Sequence, residues 1–215
     1  MTTSSNISKI WKRFQHGADL VITASVILTF AYLVLLVLPH LEVDAHVFPN
    51  LPQLNTSILW IHVICAFPPL LIGPITFNKS SRFNNPAMHR WLGTIYCLGI
   101  WISALSGILL ASTNRAGIGA QLGFGILGVL WFCTTLLAYK TAREKNFVAH
   151  RRWMIRSYSL TLAVVSIRGM FWFPPSQIDQ LTWLVIVSWL CWVPNVIFGE
   201  IYIRLTTPNG KLLNS

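Results

Sequence analysis

The chain has 215 residues, of which 54% are hydrophobic and only 10% charged, with a formal net charge of +10. An ordinary soluble domain carries roughly 25% charged residues, so this composition excludes one and points to a membrane protein. The cations sit between apolar blocks rather than along one face, which argues against nucleic acid as a partner.

In chain order, residues 1–18 are polar, carry Lys9, Lys12 and Arg13, and are expected to form a loose cytoplasmic N-terminus. Six apolar blocks follow, at 20–38, 57–77, 91–111, 118–139, 153–173 and 181–203. Each comes close to the roughly 20 residues with which a helix crosses about 30 Å of hydrocarbon. None shows the polar face that a soluble helix turns to water. The first is too long for a signal-peptide core and lacks a small-residue cleavage site, so it is expected to remain as a helix. The expected fold is all-α: an integral membrane bundle of six transmembrane helices over 19–205, followed by a short tail, 206–215. The connection 39–55, with Pro39, Pro49 and Pro52, is expected to cap the outer face in turn-rich backbone.

Charge sets the expected orientation. Lys79 and Arg82 follow the second block; Lys140, Arg143, Lys145, Arg151 and Arg152 separate the fourth from the fifth; Arg204 and Lys211 close the chain. The alternate connections hold Glu42 and Asp44, then Arg115 alone, then Asp179. This positive-inside pattern puts both termini in the cytoplasm and the basic loops against anionic lipid of the bilayer. Cys65, Cys97, Cys133 and Cys191 all fall inside the blocks with no metal-knuckle spacing, and are read as packing residues.

A weak parallel internal repeat relates the second and third helices to the fourth and fifth. Each unit pairs an inward helix with an outward one headed by His-Arg, at His89-Arg90-Trp91 and at His150-Arg151-Arg152-Trp153. Tyr96 and Tyr158 follow at similar distances. Repeat interfaces often hold the binding site of a membrane protein.

At 100° per residue, His150, Ser157, Thr161 and Arg168 make one polar stripe along the fifth helix. His89, Gly93, Tyr96, Ser103 and Gly107 share a face of the third, where small residues allow either close packing or a flat cofactor. Two polar layers result. The inner one holds His89, Arg90, His150, Arg156 and Glu200, with Asn195 deeper; the outer one holds His62 and Arg168. Arg156 and Glu200 are expected to pair and lock the last two helices.

Neutral imidazoles from two helices suit the axial positions of a b-type haem, with Arg90 and Arg151 on its propionates and Tyr96 lining the site. Both histidines stand in the first turn of their helices, which would leave the ring edge open to the cytoplasm. The same groups, with Arg152, could clamp a phosphate, a lipid headgroup or a quinone carbonyl. Three readings therefore stand: a haem- or quinone-binding electron-transfer protein, a non-enzymatic transporter or lipid- and anion-binding protein, and a membrane scaffold. No Gly-rich phosphate loop, zinc-protease helix or serine elbow is present.

The run Gly73-Pro74 to Phe77, then Arg82, then His89-Arg90-Trp91-Leu92-Gly93 to Tyr96, resembles the second-to-third helix motif of the domain of unknown function 2306 family. The run from His150 to Tyr158, continuing to Arg168, resembles its fifth-helix motif, and Asn195 and Glu200 its closing signature. The resemblance covers roughly Trp60 to Tyr202. It implies a multi-pass protein of a bacterial inner (plasma) membrane and assigns no activity.

Overall fold

The computed structural model describes residues 53–77, 85–172 and 175–206, and every regular element in them is an α-helix. These are α1 (Gln53–Phe77), α2 (Pro86–Ser112), α3 (Ile118–Arg143), α4 (Phe147–Thr161), α5 (Ala163–Trp172), α6 (Gln180–Leu190) and α7 (Val193–Thr206). The expected first span, 20–38, most of the connection after it and the tail lie outside the described residues.

Among the described residues, four stretches are long and apolar enough to cross a membrane: Thr56–Phe77, Pro86–Ser112, Ile118–Arg143 and Gln180–Thr206. They match the second, third, fourth and sixth expected spans. The fifth, expected at 153–173, is corrected: it is two shorter helices, and α4 carries His150, Arg151, Arg152 and Arg156. No proline or glycine explains the break at Leu162. Thr161 Oγ1 donates to the Ser157 carbonyl at 3.0 Å, a bond that Thr134 and Thr135 also make within unbroken α3. The break between α6 and α7 has a plainer cause. Pro194 has no N–H for the Leu190 carbonyl and its ring crowds that group.

Helix starts follow capping chemistry. Asn85 and Asn146 accept from the backbone N–H groups of Met88 and Ala149, and Pro86 occupies the first turn of α2. Asp179 does the same for Leu181 and Thr182 at the head of α6.

The first four helices pack antiparallel in succession. His62 meets Ser103 while Cys65 and Pro69 meet Gly99, so α1 and α2 run in opposite senses. α2 packs on α3, α3 on α4, and α4 returns to α1, which closes a four-helix ring; α6 lies on α3 and α7 on α4. The centre belongs to α4, whose Met154, Ile155, Ser157, Tyr158, Ser159, Leu160 and Thr161 are all buried. Large apolar side chains face outward instead, as in the stripe Leu98, Ile102, Leu105 and Leu109 of α2 and in Ile197, Phe198, Ile201 and Leu205 of α7. Such an inside-out distribution is stable in hydrocarbon and unfavourable in water.

One lock joins the first and fourth helices. Pro74 removes the N–H that would satisfy the Leu70 carbonyl, and Tyr158 Oη donates to that carbonyl at 3.2 Å. Gly73 makes this possible, because a Cβ there would stand 2.1 Å from the Tyr158 ring. Phe77 completes the contact edge-on, with ring centroids 5.5 Å apart. Gly73→Ala should therefore destabilise the folded protein by about 1–3 kcal/mol, the usual range for overpacking. Thermal unfolding in detergent reads it, and an unchanged midpoint would show that Tyr158 does not rest on Gly73.

Candidate functional site

Tyr96, on α2, is fully buried and reaches diagonally across the ring to α4. Its hydroxyl lies 3.0 Å from Ser157 Oγ and 3.5 Å from Thr161 Oγ1. Ser157 Oγ is also 2.8 Å from Thr135 Oγ1 of α3, and Trp131 Nε1 donates to Thr161 Oγ1 at 3.0 Å. One donor order satisfies every group. Tyr96 donates to Ser157, Ser157 to Thr135, and Thr135 to the Trp131 carbonyl at 2.8 Å. Thr161, receiving Trp131, donates to the Ser157 carbonyl. The Tyr96 hydroxyl expected to line a cofactor site is thus engaged within the protein core.

This contact fixes a register. His89 precedes Tyr96 by seven residues and His150 precedes Ser157 by seven. Seven residues are two turns within about 20°, a rise of roughly 10 Å, so each histidine stands on the same stripe as the residue in that contact, two turns nearer the basic end. Their helix starts match as well: the backbone N–H of His89 donates to the Asn85 carbonyl and that of His150 to the Asn146 carbonyl, at 3.1 and 2.9 Å. Both side chains are half-buried. His150 Nδ1 lies 2.8 Å from the carbonyl oxygen of Ala138. A carbonyl only accepts, so Nδ1 carries a proton.

Between the histidine level and the Tyr96 level stands Gly93. By helical angle it lies between the directions of fully buried Ile100 and of buried Cys97 on α2. A Cβ built on Gly93 meets nothing within 4 Å. Elsewhere in the bundle glycines mark tight contacts, such as Gly123 against Ser188 and Gly199 against Ser159, at 2.3 and 2.4 Å from such a Cβ. Gly93 marks room.

Of the arginines, Arg90 is exposed and Arg151 half-buried at this end. Arg156 is bidentate to Glu200 of α7, with Nη2 at 3.0 Å from Oε2 and Nε on Oε1, and lies over the Trp153 ring at 4.6 Å. This is the expected lock between the last two helices. Asn195 joins α7 to α5 through Ser166, 3.1 Å from its Nδ2, and caps the Cys191 carbonyl at 3.0 Å beside the Pro194 break.

The outer layer is organised differently. His62 Nδ1 donates to the Ser103 carbonyl at 2.8 Å, and Ser103 Oγ donates back to the His62 carbonyl at 2.9 Å. This reciprocal pair staples α1 to α2. Arg168 lies on α5, beyond the break at Leu162, and α5 leans on α6. Trp131, Thr135 and Ser166 were not singled out from the sequence. Trp131 and Thr135 are four apart on one helical face, the one signal that could have found them.

The family described as "Predicted membrane protein (DUF2306)" matches residues 59–203. No curated protein and no solved structure shows a significant match.

Because the hydroxyl cluster is closed on itself, its loss should be asymmetric. Ser157→Ala should cost about 1–3 kcal/mol by leaving buried hydroxyls unpaired, and adding Thr135→Val should recover part of that cost. Chemical denaturation in detergent measures both variants; a double variant less stable than the sum of the singles would contradict a shared bond.

Proposed function

Starting from the fact that the chain belongs to this family of predicted membrane proteins, we propose that it binds a b-type haem at its basic end and serves as a membrane electron carrier. The observation that carries the reading is the His150 imidazole, whose Nδ1–H is held by the Ala138 carbonyl. A metal-ligating histidine characteristically donates its second nitrogen in this way, which orients the ring, and Nε2 would be the ligating atom. His89, two turns before Tyr96 as His150 is before Ser157, would supply a second nitrogen, and the open space beside Gly93 supports a bound ring. The Tyr96–Ser157 contact then forms the apolar-side ceiling of the site rather than a ligand. Arg90 and Arg151 would face the propionates, whose charge suits an end rich in cations.

The position of both histidines in the first turn gives the haem an exposed edge, as an electron carrier facing the cytoplasm needs. That orientation, with both termini inside a bacterial inner membrane, follows from the positive-inside distribution of Lys140, Arg143, Lys145 and Arg204.

The purified protein, produced with haem supplied, should show a Soret band and a reduced-minus-oxidised difference spectrum. His89→Ala and His150→Ala should each abolish the low-spin spectrum while leaving the detergent-solubilised protein monodisperse. His62→Gln, in the outer staple, should retain it. Wild-type protein without pigment or iron removes the reading and leaves anion binding by the same basic end in its place.

A further inference from the structure

α4 and α7 lie side by side, with Gly199 against Ser159 and Glu200 on Arg156. One turn further toward the basic end, α4 presents Arg152 and α7 presents Arg204. The ladder that begins with a cation and a carboxylate thus continues with two cations. Arg152 is half-buried, its Nε is shielded from solvent, and that nitrogen has no hydrogen-bond partner. Among the described residues neither arginine forms an ion pair. The other described carboxylate at this end, Glu144, is exposed and lies 3.9 Å from Lys140. A shielded guanidinium nitrogen without an acceptor is costly, so the seam is incomplete as protein alone.

Its surroundings indicate what completes it. The seam opens beside the exposed apolar stripe of α7, Ile197, Phe198, Ile201 and Leu205, at the level where a bilayer changes from acyl chains to headgroups. The Trp153 indole, under Arg156, borders it. Two guanidinium groups match the oxygens of a phosphate, and the stripe matches acyl chains. We propose that the Arg152–Arg204 seam binds the phosphate of an anionic membrane phospholipid, whose chains lie along α7. This site is separate from the histidine pair and stands whether or not haem binds.

The test is a thermal-shift titration of the full chain in detergent with phosphatidylglycerol, phosphatidylcholine or inorganic phosphate. Phosphatidylglycerol should raise the unfolding midpoint, and the other two should leave it nearly unchanged. Arg152→Gln should require about tenfold more phosphatidylglycerol for the same shift, the effect of losing one charge-assisted contact. Arg204→Gln should weaken the response in the same direction, and Arg143→Gln, in the exposed basic turn, should not. An Arg152→Gln response equal to wild type overturns the proposal, as does equal stabilisation by phosphatidylcholine. Inorganic phosphate acting as strongly as the lipid overturns the lipid assignment. If Arg152→Gln does not fold, an unaltered response of Arg204→Gln decides against the site.

Discussion

Hydrocarbon offers a helix neither water for its free carbonyls nor a hydrophobic reason to meet another helix, because lipid tails are as apolar as leucine. This bundle answers both conditions with one device, the side-chain donor on a neighbouring carbonyl. Tyr158 serves Leu70, His62 serves Ser103, His150 serves Ala138, and Trp189 serves Gly119 at 3.1 Å. Each bond satisfies a polar donor that could not be left bare and fixes the angle at which two helices meet. The prolines of α1 become tolerable on the same terms, since a carbonyl freed by Pro74 is claimed from α4.

The device explains why the most polar helix sits in the middle. A helix that supplies Ser157, Tyr158 and Thr161 to three neighbours has to be surrounded by them, and cannot at the same time be apolar enough to face lipid. Its arginines are admitted only at the basic end, where Arg156 finds Glu200 and the rest approach the headgroups. The outer face is left to leucine and isoleucine, which carry little information beyond depth.

Hydropathy made four of the described spans legible, because length and apolarity are properties of a segment by itself. It missed the break between α4 and α5 because no proline or glycine marks that break in the sequence. Helical angles placed His89, Gly93 and Tyr96 on one buried face, as the structure has them, but failed for Arg168 once the helix was interrupted. The Arg156–Glu200 pair was legible because a bilayer leaves few partners for a charge. Thr135 and Trp131 were not, since a threonine in an apolar helix looks the same whether it bonds its own turn or the next helix.

Comparison of the two His-Arg units shows where symmetry was kept and where it was released. Asparagine cap and histidine are four residues apart in both, yet the second unit carries one extra arginine before its tryptophan. That residue advances everything after it by 100°. The tyrosine equivalent to Tyr96 is therefore displaced: Ser157 takes its position and bonds to it, while Tyr158 turns to α1 and Trp153 turns under Arg156. Had both units kept the shorter spacing, two bulky phenols would compete for one core. The added residue resolves that conflict and is itself Arg152, the cation left without a partner on the α7 side. Both histidines lie before that added residue, so the spacing from cap to histidine and the asymmetric core beyond it vary independently.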